Sequence, residues 1–289
     1  MKQTILKKIG VVISERNDKA IEIGRDTLRY LLDNGINLIV YPSKFCKFLG
    51  YNNIEYTNSI QELSGDIIIS IGGDGTVLRT FLFLKDKETP VMGIGLGEKN
   101  FLASIPGDNF MEGLKRLLDG KFYIRREMRL NTEIEGLTYT LPPVLNEVLF
   151  ITGTPGKTID AYLAIDKYGK EILWSSKADG VLISTPVGST AYAFAADGPV
   201  LDTDLDAILI VPLLPVDRKP IYVVNSDMTI HTWASEKRSR PMVVLDGQIT
   251  IELECNQVVK VFKADTPANL ITFDKKTNIV RLRKASGYA

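Results

Sequence analysis

Four short apolar runs in the first hundred residues, at 9–13, 36–41, 66–71 and 91–96, are separated by stretches of helical repeat, and this alternation restricts the fold more than any other feature. Ala20, Gly24, Thr27, Leu28 and Leu31 share one face of a helix that ends at Asn34-Gly35. A second helix is predicted over 77–84 with Thr76 as its cap, and a third over 110–118, closed by Asp119-Gly120. Strands alternating with helices require right-handed crossovers and an open parallel sheet, whose ligands bind beyond the carboxyl ends of the strands.

After about residue 122 the pattern changes to consecutive strand-like runs, with a hairpin expected at Tyr168-Gly169. One interruption, at 188–196, reads as a short helix capped by Ser189 or Thr190. The expected fold class is therefore α/β plus all-β: a Rossmann-like open parallel sheet over 1–122 and a β-rich domain over 123–266.

The formal net charge is zero, which argues against a nucleic-acid partner or an anionic membrane surface; Arg125-Arg126 and Lys237-Arg238 are short and read as solvated surface. The longest apolar run, 207–216, contains two prolines and is too short to span a bilayer. The first eight residues lack the apolar stretch of a secretory signal. Cys46 and Cys255 are widely separated and suit a reducing, cytoplasmic setting. A single histidine, His231, rules out a His-rich zinc site and most Ser-His-Asp arrangements. No spacing assigns metal-ligating side chains.

Gly72-Gly73-Asp74-Gly75-Thr76 follows directly on the run 66–71. Three glycines around one carboxylate let a phosphate approach backbone N–H groups, and the N-terminus of the following helix favours anions. A tight turn that happens to hold an Asp is the plainer alternative. A second polar stretch runs from Lys177 through Asp179, Ser184, Thr185, Ser189 and Thr190 to Tyr192. Its hydroxyls and N–H groups converge at a helix start where they can bind a base, a ribose or a phosphate. Ordinary capping with Tyr192 in the core accounts for the stretch equally well. Asn146-Glu147, ahead of an apolar strand, suits the adjacent hydroxyls of a ribose, against the alternative of strand-edge polarity.

Taken in order, Gly72 to Thr76, Asn146-Glu147, the run 179–192 with Gly198-Pro199, and Asp246-Gly247-Gln248 resemble the NAD kinase family. The first motif is shared with diacylglycerol and sphingosine kinases and, as a variant, with phosphofructokinases. The Ser184-Thr185-Pro186-Val187-Gly188-Ser189-Thr190-Ala191-Tyr192 run is much more specific. The resemblance implies phosphorylation of the 2′-hydroxyl on the adenosine ribose of NAD, by ATP or polyphosphate, to give NADP. It also implies a divalent metal ion such as Mg²⁺, a site in the crevice of two domains, a tail over 267–289 that returns to the first domain through 270–273 and 279–282, and a homodimer or homotetramer whose neighbouring subunit lines the NAD pocket.

Carried over by position, Asp74 is the proton acceptor. Gly72, Gly73, Gly75, Thr76 and Arg79 surround the phosphates, and Asn146, Glu147, Lys177, Asp179 and Gln248 contact NAD. Thr190, Ala191, Tyr192, Ala193, Phe194 and Ala195 line the adenosine half. This chain departs from the family pattern at Glu98-Lys99-Asn100-Phe101-Leu102, where many members carry a Leu-Gly-Phe-Leu stretch after Gly97, at Val187 and at Val216-Asp217. Two other readings remain: a catalytically silent NAD(P)-binding sensor, and a lipid kinase sharing only the first motif.

Overall fold

The structure is a computed structural model that describes residues 6–45, 54–97, 100–235 and 240–274. The chain divides into two compact units, Met1–Glu127 with Pro267–Ala289, and Met128–Thr266.

The first unit runs β1 (Lys8–Ile13), α1 (Asp18–Asp33), β2 (Asn37–Tyr41), β3 (Glu55–Tyr56), β4 (Ile67–Gly72), α2 (Asp74–Phe83), β5 (Val91–Gly95), β6 (Ile105–Pro106), α3 (Phe110–Leu118) and β7 (Tyr123–Glu127). Its sheet has the order β3-β2-β1-β4-β5, with β6 also on β5, and continues through one later strand to β7. The strand β19 (Ala268–Thr272) returns to pair parallel with β5 and antiparallel with β7. The central strands are buried on both faces because helices cover both. Ile9, Val11, Ile13, Ile67, Ile69 and Ile71 pack with Ala20, Leu28 and Leu31 of α1 and with Leu114 and Leu117 of α3. On the other face the Thr80 hydroxyl of α2 donates to Ser70 Oγ at 3.2 Å.

The predicted parallel sheet is therefore present, with the antiparallel edge strand β7 added. Residues 123–127 had no strand expectation, because Tyr123 and Ile124 are exposed and give no alternation of buried and exposed positions. The second helix starts three residues earlier than predicted. Gly73, not Thr76, is its N-cap and makes no side-chain cap bond, while Thr76 lies in the first turn with its N–H on Gly73 O at 2.9 Å. The expectation for 279–282 lies outside the described residues.

The second unit runs β8 (Leu130–Ile134), β9 (Glu147–Thr152), β10 (Ile159–Asp166), β11 (Lys170–Ala178), β12 (Gly180–Ser184), α4 (Tyr192–Ala195), β13 (Ala207–Leu213), β14 (Tyr222–Asn225), β15 (Thr229–Ala234), β16 (Pro241–Leu245), β17 (Ile249–Glu252) and β18 (Val259–Lys263). It forms two antiparallel sheets, β11-β10-β15-β18-β8 and β14-β13-β12-β9-β16-β17. The hairpin at Tyr168-Gly169 joins β10 to β11, with Asp166 opposite Lys170. Strand β9 sits centrally, between β12 and β16, so its first residues lie beside the ends of both neighbours. Among the described residues no helix is long and apolar enough to cross a membrane.

Candidate active site

In the first unit the strand β4 is buried throughout, and its last residue, Gly72, leads through Gly73 straight into α2. Asp74 is thereby the first helical residue, where the partial positive charge of the helix N-terminus favours a carboxylate. Both of its oxygens are gripped: Oδ2 accepts from Phe101 N–H at 2.8 Å and Oδ1 from Leu102 N–H at 3.0 Å. Gly75 is exposed beside it, and Gly73 and Thr76 are half-buried. Arg79, one turn further, is exposed, but its guanidinium donates to Tyr41 Oη at 2.8 Å and lies over that ring at 5.6 Å.

In the second unit the register of β9 with β16 brings Asp246 against the start of β9. Asp246-Gly247-Gln248 is the three-residue turn between β16 and β17, with positive φ at Asp246 and Gly247, 47° and 64°. The Asp246 carboxylate accepts three backbone N–H groups, from Leu145 at 2.7 Å, Asn146 at 2.8 Å and Glu147 at 3.0 Å. Burial pushes its carboxyl up, against these three donors and the Arg129 charge, which favour the anion. Arg129 is itself fully buried, donates to Pro143 O, and is lowered to about 10 by burial.

With its backbone held by Asp246, the Asn146-Glu147 pair presents two buried oxygens, Asn146 Oδ1 and Glu147 Oε2, that have no hydrogen-bond partner among the described residues. Buried polar atoms without partners are rare and mark places where a ligand or water completes the set. Burial, and then the Asp246 charge, push the Glu147 carboxyl up to about 8. A carboxyl raised in the folded state holds its proton from about 4.5 to about 8, so stability falls as pH rises through that window. Each unit is worth about 1.4 kcal/mol. Glu147→Gln is expected to abolish this fall, leaving the variant more stable than the parent at pH 9 and equal to it at pH 4. Urea unfolding followed by tryptophan fluorescence checks this, because Trp174 and Trp233 both lie in the second unit.

The run after β12 behaves differently from its sequence reading. Ser184, Thr185, Ser189 and Thr190 are all buried, and their hydroxyls are committed inward. Ser184 Oγ donates to Asn146 O at 3.1 Å, Thr185 Oγ1 to Leu145 O at 2.6 Å, Ser189 Oγ to Pro186 O at 2.6 Å and Thr190 Oγ1 to Val187 O at 3.1 Å. Neither Ser189 nor Thr190 caps a helix. Both lie in a 3-10 turn over Gly188–Thr190 that precedes the four-residue helix α4. Gly188 is needed there, since a Cβ would come within 2.2 Å of Asn146 O. The segment is thus a buttress for the Asn146-Glu147 turn.

Beyond the buttress, Tyr192 and Phe194 are exposed, Ala191 is half-buried and Ala193 is buried. Asp179, Tyr192 and Ala195 line one open cavity of about 650 Å³, together with the cations Arg218 and Lys219. That size fits a nucleotide-like ligand. Lys177 and Gln248 are exposed, and neither lines this cavity.

Sequence reasoning missed the clamping role of Asp246, whose Asp-Gly turn between two apolar runs is a hairpin signal. It also missed Arg129, Arg218 and Lys219, and nothing local marks these three.

The sequence matches the ATP-NAD kinase N-terminal domain over residues 9–122 and the ATP-NAD kinase C-terminal domain over 145–273. It is 32% identical to the NAD kinase of Methanosphaera stadtmanae over 270 residues, covering 93% of this chain and 95% of that protein. The structure is similar to an NAD kinase from Archaeoglobus fulgidus in complex with ATP, with a TM-score of 0.71, 26% identity and 97% of both chains covered. It also resembles yeast NADH kinase complexed with NADH, with a TM-score of 0.85 over 97% of this chain and 87% of that one. At 18% identity, that second likeness speaks for the fold alone.

Proposed function

The chain belongs to the NAD kinase family and phosphorylates NAD to NADP with ATP, and on that premise we propose that Asp74 is the general base acting on the 2′-hydroxyl of the adenosine ribose. The observation that supports the assignment is the grip on its carboxylate, which sits at the start of α2 with a backbone N–H on each oxygen. A ribose hydroxyl is a poor nucleophile and a carboxylate a weak base at neutral pH, so the gain comes from placement. Asp74 orients the hydroxyl and accepts its proton as the O–P bond forms. Phosphoryl transfer asks the protein chiefly for such positioning and for charge stabilisation.

The glycine N–H groups of the Gly72 to Thr76 turn are assigned to the donor phosphates, with Arg79 nearby as a cation that must leave Tyr41 to reach them. The oxygens of Asn146 and Glu147 that have no partner among the described residues are assigned to NAD hydroxyls, and the protonated Glu147 can also donate. Tyr192 and Phe194 offer exposed rings to the adenosine, and Asp179 a carboxylate in the same cavity as Tyr192. Lys177 and Gln248 complete the proposed NAD contacts.

Among the described residues no three acidic, His or Cys side chains converge on one metal position. Mg²⁺ would be held mainly by the substrate phosphates, with Asp74 as the carboxylate on the phosphate turn. When bound, the ion neutralises charge developing on the phosphates. Polyphosphate as a second donor, a cytoplasmic setting and a homodimer or homotetramer complete the proposal, supported by the family resemblance.

The test is incubation of pure protein with Mg²⁺, NAD and either ATP or polyphosphate, with NADP read by an NADP-specific dehydrogenase. NADP formation with ATP is expected. NAD binding without product would overturn the reading in favour of a sensor. Tyr192→Ala is expected to raise KM for NAD about tenfold with kcat within about twofold, since stacking on a base is worth about 1–3 kcal/mol. Steady-state kinetics at saturating ATP checks it.

A further inference from the structure

The two N–H groups on Asp74 belong to a segment that starts 26 residues downstream, and that segment has its own anchor. Asn100 Oδ1 accepts from Gly97 N–H at 3.1 Å, and its Nδ2 donates to Gly97 O. A single side chain thus pairs with both polar groups of one peptide residue, which an aliphatic residue or a glycine at 100 cannot do. The amide rests directly over β5: a Cβ added to Gly95 would lie 2.5 Å from Asn100 Cγ and 2.7 Å from Ala103 Cβ.

The following residues are tied down as well. Ser104 N–H donates to Gly93 O at 2.8 Å, and Ser104 Oγ accepts from Gly93 N–H at 3.0 Å. On the other side, Gly95 pairs with Gly72 across the sheet, and Leu96 N–H donates to Gly72 O at 3.0 Å. The donors on Asp74 are therefore registered against the same strand, β4, that delivers Asp74. Asn100 is the side chain that fixes their near end.

We infer that Asn100 is a positioning residue for phosphoryl transfer: by pairing with Gly97 it holds the Phe101 and Leu102 N–H groups in place and so sets the plane of the Asp74 carboxylate. The inference rests on the assignment of Asp74 as the base. It follows that a change at Asn100 acts through Asp74. Misplacement of a catalytic group by about 1 Å costs on the order of 10²-fold in rate, and loss of one anchor bond gives part of that.

The experiment compares kcat and KM for wild type, Asn100→Ala, Asn100→Ser, Asp74→Asn and the Asn100→Ala/Asp74→Asn double variant, with product accumulated at high enzyme concentration for the slow ones. Asn100→Ala is expected to lower kcat about tenfold with KM for NAD within about twofold. Asn100→Ser, whose hydroxyl both donates and accepts, is expected to fall between. In the Asp74→Asn background, Asn100→Ala is expected to add nothing, because residues that act as a unit are not additive. Wild-type kcat in Asn100→Ala, or a second tenfold loss in the double variant, overturns the inference. Should Asn100→Ala fail to fold, Asn100→Ser and its double with Asp74→Asn are read by the same criteria. Wild-type turnover in Asp74→Asn removes the base assignment itself, whereas a slow Asp74→Asn beside an unimpaired Asn100→Ala removes only the role of Asn100.

Discussion

Asp74→Asn is expected to lower kcat by about 10²-fold or more while KM for NAD changes by less than about threefold. The substitution is nearly isosteric, and its structural cost can be bounded. The amide oxygen keeps one of the two N–H bonds, and the NH2 group meets the other N–H as donor on donor. Losing one such bond costs about 1–3 kcal/mol, and any part of that shared by ground and transition states leaves kcat untouched. A 10²-fold loss confined to kcat corresponds to about 2.7 kcal/mol felt only in the transition state. That combination, slow turnover with intact NAD binding, is the signature of a lost proton acceptor. It is read from steady-state rates together with direct titration of NAD. A variant that turns over at the wild-type rate would take Asp74 out of the chemistry.

Asp246→Asn is expected to produce the opposite split, with loss of stability in the second unit and a raised KM for NAD. The carboxylate carries three backbone N–H groups, and an amide oxygen cannot serve the Leu145 donor on one side and the Asn146 and Glu147 donors on the other. One or more buried N–H groups lose their acceptor, and Arg129 loses the charge it faces. Each unsatisfied buried group costs about 1–3 kcal/mol, so a total near 3 kcal/mol is expected. Because these donors belong to Leu145, Asn146 and Glu147, the pair assigned to NAD loosens with them. Urea unfolding read by the two tryptophans measures the first effect, and KM for NAD the second. Unchanged stability and unchanged KM would show that the clamp is idle.

Much of the architecture was legible because it is encoded at short range. The 3.6-residue repeat of α1, the capping residues around Asn34, the buried run of β4 and the alternation at the start of β10 are properties of short windows of the chain. Misreadings fell where a short window is ambiguous. Thr76 has the chemistry of a cap, but Gly72 and Gly73 turn the chain into α2 before Thr76 is reached. Strand β7 shows no alternation because its consecutive residues Tyr123 and Ile124 are both exposed, and its partner, β19, lies more than 140 residues away.

For the candidate site the division is sharper. The sequence by itself determined which side chains are candidates: the single Asp in a glycine turn, the Asn-Glu pair, the hydroxyl-rich run and the Asp-Gly turn. Only the tertiary structure decided what each has left to offer. The hydroxyl protons of Ser184, Thr185, Ser189 and Thr190 are donated to backbone carbonyls, whereas Asn146 Oδ1 and Glu147 Oε2 have no partner among the described residues. Asp246 becomes a clamp only because β16 pairs with β9 in a register that sets it beside residues about a hundred positions earlier. A hydrogen-bonding group has finite capacity, and that capacity is spent on whatever the fold brings within about 3 Å. Those neighbours come from distant strands, so no local reading of the chain contains them.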